Sequence, residues 1–361
     1  MKRRYDSATL ANRVSDYLLM LLGFLNVVFA AALLLTAATA TQAQAQNMPA
    51  CSGENLLAQL EKDDPDAHAQ IIRTAQSTPF AQSLLFKIEK DGIEPSWLFG
   101  TMHMTDPRIV QLSDKVQSAF DQADTLIIES DEVLDMTKAQ MALLARPDLQ
   151  MFTGDARLTD FIDDEERAVL EEGLQQRGLQ LALINRMQPW MVTGLVALPA
   201  CEMQRKQAGE LFLDLALADR AKAAGKTIAG LETIVEQLEA MASLPVEFHV
   251  QGLVETVKLG DAMDDVIETM IQLYLDENIA AVMPTLETVA AKLGGTDDDE
   301  GYAAFEEKIV VNRNHIMAER AQPHLEEGSV FLAVGALHLP GEEGVAQLLQ
   351  DAGYTITPVL K

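Results

Sequence analysis

Basic residues are scarce in this chain. Against 55 Asp and Glu it has only 27 Lys and Arg, a net charge of −28 over 361 residues. Phosphate backbones are bound by clustered Lys and Arg, so nucleic acid is excluded as the main partner. There are two cysteines, too few for a disulfide-built scaffold or a four-cysteine zinc site. With six histidines, any metal would rest on His, Asp and Glu. No P-loop, no GxGxxG and no HExxH is present. Thr101 and Thr105 are the only nucleophile candidates near the motifs described below, and neither has triad spacing, which argues against covalent catalysis. Aromatics are 5% of the chain, yet the apolar share is 48%, so a folded core is expected.

The start has the pattern of a secretory signal. Lys2, Arg3, Arg4 and Arg13 precede an apolar run from Tyr17 to Ala40, and Ala43-Gln44-Ala45 is a small-x-small exit. Residues 1–45 are expected to be removed. The run is also long enough to span a bilayer, so an uncleaved anchor is the alternative and the only expected membrane contact. Cleavage removes Lys2, Arg3, Arg4, Arg13, Asp6 and Asp16. That takes 27 basic and 55 acidic residues to 23 and 53, a net −30. The mature chain would be periplasmic or secreted. Cys51 and Cys201 both survive in it, and in an oxidising compartment they are expected to pair.

Residues 46–361 read as one α+β domain. Ser83–Glu89 and Trp97–Gly100 flank Asp91-Gly92 as a hairpin. Ser113–Ala123 has helical spacing, and Thr125–Ile128 is a short buried strand. From about Val133 to Ile316 the chain is rich in helix formers, a helical insertion interrupted by a strand at Thr227–Leu231. Gly294–Gly301, with four consecutive acids, reads as a loop. Ser329–Gly335, Glu342–Ala352 and Tyr354–Val359 then read as strand, helix and strand.

The first and last zones repeat one pattern. Leu98-Phe99-Gly100-Thr101-Met102-His103 and Ala333-Val334-Gly335-Ala336-Leu337-His338 each end a strand with GxxH, and each leads through a loop into a helix and a second strand. About 0.35 GxxH matches are expected by chance in this composition, so two in the same context carry weight. A strand, a crossover helix and a strand should make parallel neighbours. Their C-terminal ends then share one sheet edge, where ligands bind in such sheets. That edge would gather His103, His338, Glu129 after Ile127-Ile128, and Glu232 after Gly230-Leu231. Imidazoles and carboxylates together bind divalent transition metals, and a His beside a Glu also serves as an oriented base. A pair of hydrogen-bonded histidines in a non-catalytic protein is the competing reading. His68, His249, His315 and His324 lack this context.

Trp97–His103, Ile127-Ile128-Glu129, Gly230-Leu231-Glu232-Thr233, Asn312-Arg313-Asn314 and Val334–Leu339 together resemble the TraB/PrgY/GumN family, its GumN-like bacterial branch above all. The Tiki proteases belong to that family, with erythromycin esterase and ChaN-type proteins as distant relatives. The resemblance implies two related strand–GxxH–helix–strand halves in a central mixed sheet with a helical insertion. It implies a hydrolase dependent on Mn or Co, with Zn as a further option, and a peptide or small-molecule substrate. It places His103, Glu129 and His338 as metal ligands, with Glu129 or Glu232 as base. Arg313 would be an electrostatic catalyst and Asn314 a substrate contact. It equally allows a protein that binds peptide or haem without turnover. The second half has no acid matching Glu129, so the centre is expected to be asymmetric.

Overall fold

Six short strands position everything that follows. In the computed structural model, which describes residues 52–292 and 299–360, they are β1 (Leu85–Glu89), β2 (Ser96–Thr101), β3 (Thr125–Ile128), β4 (Thr227–Gly230), β5 (Val330–Gly335) and β6 (Thr355–Pro358). They form one sheet in the order β4-β3-β5-β2-β1-β6. β4, β3, β5 and β2 are mutually parallel, and β1 is antiparallel to both β2 and β6. The α+β class with a mixed sheet is as expected. The leader at 1–45, Cys51 and most of the acidic loop lie outside the described residues.

The strand order departs from the expected neighbours. β2 and β3 are parallel but do not touch; β5 lies between them. β5 and β6 are separated by β2 and β1. Burial explains the placement. Val330 to Val334 are all at most 1% exposed, and an unbroken apolar strand needs partners on both sides and cover on both faces. β6 has one buried residue, Ile356, and ends in Pro358, so it takes the edge.

Helices cover both faces. The main ones used below are α1 (Pro65–Ser77), α2 (Asp114–Gln122), α3 (Ala200–Gln207), α4 (Leu213–Ala223), α5 (Ile234–Ala242), α6 (Ala262–Leu275), α7 (Val282–Lys292), α8 (Asn312–Glu327) and α9 (Val345–Asp351). On one face Phe99, Leu126, Ile128, Phe331 and Ala333 pack against Phe120 of α2 and Leu217 and Ala221 of α4. On the other, Leu98, Ile127, Leu332 and Val334 meet Met317 and Leu325 of α8 and Leu349 of α9. Alternate residues of one strand thus serve opposite cores, as the period of two requires. The insertion has its own apolar cluster, in which Leu170, Leu174, Val192 and Leu253 are fully buried. Residue 316, the expected end of that insertion, falls inside α8.

Local signals held well. Ser113 caps α2 by accepting the Val116 N–H. Gly225 follows α4 at φ +72° and bonds the Lys222 carbonyl, the usual glycine stop. α9 starts at Val345 rather than at Glu342, because Gly341 (φ +104°) and Gly344 close a turn before it. His68, His249, His315 and His324 all lie on helices.

The glycine of the first GxxH has a packing reason. A Cβ on Gly100 would lie 2.6 Å from Leu339 Cδ1 and 3.1 Å from the Ala336 Cα. The turn of the second motif therefore rests directly on the strand of the first. Gly100→Ala should lower unfolding stability by about 1–3 kcal/mol, the range for overpacking a close-fitted site. Urea denaturation measures this, and an unchanged midpoint would show that the two motifs are not in close contact.

Candidate active site

β2, β3, β4 and β5 all end at one edge of the sheet. Each is followed within three residues by a candidate side chain: His103, Glu129, Glu232 and His338. α8 delivers Arg313 and Asn314 to the same place, and α5 adds Gln237.

Two buried carboxylates sit close together there. Glu129 is 8% exposed and Glu232 5%. Left alone, two charged carboxylates this close would repel. Arg313 lies between them. Its Nη2 donates to Glu129 Oε2 at 2.8 Å and to Glu232 Oε2 at 2.7 Å, while its Nε reaches both Glu232 oxygens at 3.1 Å. Gln237 Nε2 donates to Glu129 at 3.1 Å and to Glu232 at 3.4 Å. The Gly335 N–H donates to Glu129 Oε1 at 2.7 Å. A Cβ on Gly335 would lie 3.0 Å from that oxygen, a tight contact that the carboxylate would have to relieve by a small shift.

Burial alone would raise the Glu129 pKa. The charges around it and the Gly335 N–H outweigh burial and hold it at about 2. His338 goes the other way. Burial lowers its pKa to about 4, against the pull of Glu129 and with Arg313 and His103 reinforcing the drop. Where His338 is protonated its charge is the largest of those that hold Glu129 ionised, with Arg313 next; an imidazole with that pKa is neutral at pH 7, and there Arg313 takes over that part.

The tautomer of His338 follows from its partner. Nδ1 lies 2.6 Å from Asn314 Oδ1, and the Asn314 amide is oriented by its own donation to the Glu343 carbonyl at 2.8 Å. Oδ1 can only accept, so Nδ1 carries the proton. Nε2 is left bare, 4.0 Å from Glu129 Oε1.

His103 is held differently. Its Nδ1 lies 2.8 Å from Asp214 Oδ2, and the Thr101 hydroxyl donates to Asp214 Oδ1 at 2.7 Å. Burial pulls the His103 pKa down. The hydrogen bond and charge of Asp214, then the charge of Glu129, overcome that and raise it to about 9. The side chain still has 57% of its surface open, so water competes with Asp214 for the ring. The loop beyond His103 is tied down by Thr105, whose N–H and hydroxyl both donate at 2.8 Å to Glu202, a residue with no exposed surface.

A family model described as TraB/PrgY/gumN matches residues 84–358. The chain belongs to the TraB/PrgY/gumN family. No curated protein and no solved structure matches it.

In this TraB/PrgY/gumN member, sequence reasoning picked out residues that do meet at one edge: His103, Glu129, Glu232, Arg313, Asn314 and His338. Their partners refine the expected roles. Asn314, expected to touch substrate, is 1% exposed and has both ends of its amide engaged. Arg313 commits its Nε and Nη2 to two carboxylates. Asp214 was missed, although a lone acid in Leu213-Asp214-Leu215-Ala216-Leu217-Ala218 is a readable signal for a buried, partnered carboxylate. Gln237 carried no signal at all. Among the described residues no group of three His, Cys, Asp or Glu is already gathered tightly enough to hold a metal ion.

The His103–Asp214 pair has a testable pH signature. A raised histidine pKa contributes stability that is fully present below the ordinary value of 6.5 and is lost as pH rises through about 9. Native stability should therefore decline across that window. Asp214→Asn should flatten the decline and return the His103 titration, followed by NMR of the imidazole, to 6.5 or below. An unchanged titration in the variant would mean that Asp214 does not charge the ring.

Proposed function

We propose that this protein is an exported hydrolase of amide or ester bonds, with peptides as its leading substrate class. Its reacting centre is His103, Glu129 and His338, and a divalent metal, Mn or Co with Zn as a third option, is its cofactor. One observation carries this reading. Both motif histidines are pinned at Nδ1, one by a carboxylate and one by an amide, which leaves both Nε2 atoms uncommitted around an ionised Glu129. An imidazole oriented through its far nitrogen is the usual arrangement of a metal ligand.

The donors suit such an ion in kind: two imidazoles and a carboxylate. One spacing within that set is slightly open. His338 Nε2 and Glu129 Oε1 are 4.0 Å apart, against about 3.4 Å for two ligands of a tetrahedral ion with bonds near 2.1 Å. When bound, the ion would supply a Lewis acid and an acidified water. The chain's own residues do the rest. His338 presents a bare Nε2 without needing to lose a proton. His103 would release its Nε2 proton to solvent on taking up the ion, while Asp214 keeps the one on Nδ1. Arg313 holds Glu129 ionised and lends positive charge to an oxyanion nearby. Glu232, bound three times by Arg313, anchors that guanidinium, which leaves Glu129 as the carboxylate better placed to take a proton.

A second reading is sequestration without turnover. The saturation of Glu129 by Arg313, Gln237 and the Gly335 N–H favours it, because a base engaged three times over has little freedom to accept another proton. Metal analysis of protein purified without chelators, followed by peptide-library cleavage with added Mn²⁺ or Co²⁺, separates the two. His103→Ala and His338→Ala should each abolish metal uptake and cleavage while leaving the circular dichroism spectrum unchanged. Full activity in either variant would sink the hydrolase reading, and a Soret band in the purified protein would point to haem instead.

Export rests on the basic, apolar and small-residue segments of the leader, and the Cys51–Cys201 bridge belongs to the same proposal. No free cysteine is found among the described residues. No described helix is long and apolar enough to cross a membrane. Alkylation of the denatured protein should modify two thiols after reduction and none before. Two modified thiols without reductant would overturn the bridge.

A further inference from the structure

Asn314 belongs to two places at once. Its side chain holds His338, and the residue also lines a groove of about 680 Å³, a volume typical of small-ligand sites. One wall is α7. The other is a π-helical turn, Glu306–Val311, that runs straight into Asn312-Arg313-Asn314. The loop Pro340–Gly344, which follows His338, closes the end. Wide turns of this kind recur at functional sites. Here the turn makes the groove wall and the site's α8 residues one continuous piece of chain.

The chemistry of the groove is one-sided. Met283, Phe305, Val310 and Leu337 give it an apolar floor, and exposed Glu306, Glu342 and Glu343 stand along its rim. No Lys, Arg or His is among the described residues lining it. Lys308, on the same turn, donates instead to the Ser243 carbonyl. His315 lies 3.2 Å from Glu343, the one imidazole facing this rim. Carboxylates gathered around a concave apolar surface, on a chain of net charge −28, raise the local negative potential and attract cations. An anionic ligand would be repelled, and a bare cation would gain nothing from the floor.

We propose that this groove binds a short cationic peptide segment, with an apolar side chain on the floor and a Lys, Arg or free amino group at the glutamate rim. The bound backbone then runs past Asn314 toward His338. This deepens the proposed function by naming its substrate class, but binding itself does not require turnover.

The experiment uses the full chain carrying His338→Ala, so that nothing is cleaved. Fluorescence anisotropy compares fluorescein-labelled Leu-Leu-Lys-Lys with Leu-Leu-Glu-Glu. The cationic peptide should bind about tenfold more tightly, the size expected of two or three partly exposed ion pairs together. That preference should vanish in Glu342→Gln/Glu343→Gln protein of unchanged Tm, and should shrink as salt is raised. Met283→Lys should weaken the cationic peptide further. Equal binding of both peptides, or cationic binding that ignores the Glu342 and Glu343 changes, would overturn the proposal. Charge-selective binding without cleavage by the unmodified protein would overturn the hydrolase reading and leave this one standing. Cleavage without charge preference would do the reverse.

Discussion

One guanidinium holds the edge of this sheet together. Glu129 and Glu232 come from neighbouring parallel strands, so their carboxylates are brought close by strand pairing itself. Strand spacing allows no escape, and both are buried. Arg313 makes that arrangement tolerable by bonding both at 2.7–2.8 Å. Breaking such a pair from one side is strongly destabilising, by about 3–5 kcal/mol, because it leaves a buried charge without compensation. Arg313 also sits one residue before Asn314, so the helix turn that neutralises the carboxylates also orients His338. The electrostatics of the edge and the tautomer of its imidazole have a common origin in α8.

The two GxxH motifs look alike and are used differently. Gly100 is bare so that the second motif's turn can lie on β2, while Gly335 gives its N–H to the Glu129 carboxylate, which lies close against the place a Cβ would take. His103 leans on a carboxylate and its pKa rises to about 9; His338 leans on an amide, is more deeply buried, and its pKa falls to about 4. A repeated motif has thus become a cationic and a neutral imidazole on either side of one carboxylate.

Much of this was legible beforehand. Each strand announces itself through short apolar runs, and each GxxH through its repetition. The convergence of His103, Glu129, Glu232 and His338 follows from parallel strands sharing an end, a rule that needs no knowledge of strand order. What was not legible is everything that depends on which side chain meets which. Asp214 and Gln237 come from helices far along the chain, and no local pattern ties them to His103 or to Glu129. The neighbours of β5 were misread for a similar reason. A crossover fixes direction, but which gap a later strand fills depends on burial across the whole sheet.

The amino-acid sequence by itself determined the class of fold, the strands and their shared direction, and the set of residues that end them, because these follow from periodicity, turn residues and the handedness of crossovers. Tertiary structure alone decided the strand order, the interleaving of the two halves and the partners of the two histidines. Those depend on long-range burial and on distances of a few ångströms between segments a hundred or more residues apart. At that scale a carboxylate against one ring and deep burial around the other move their charge states in opposite directions.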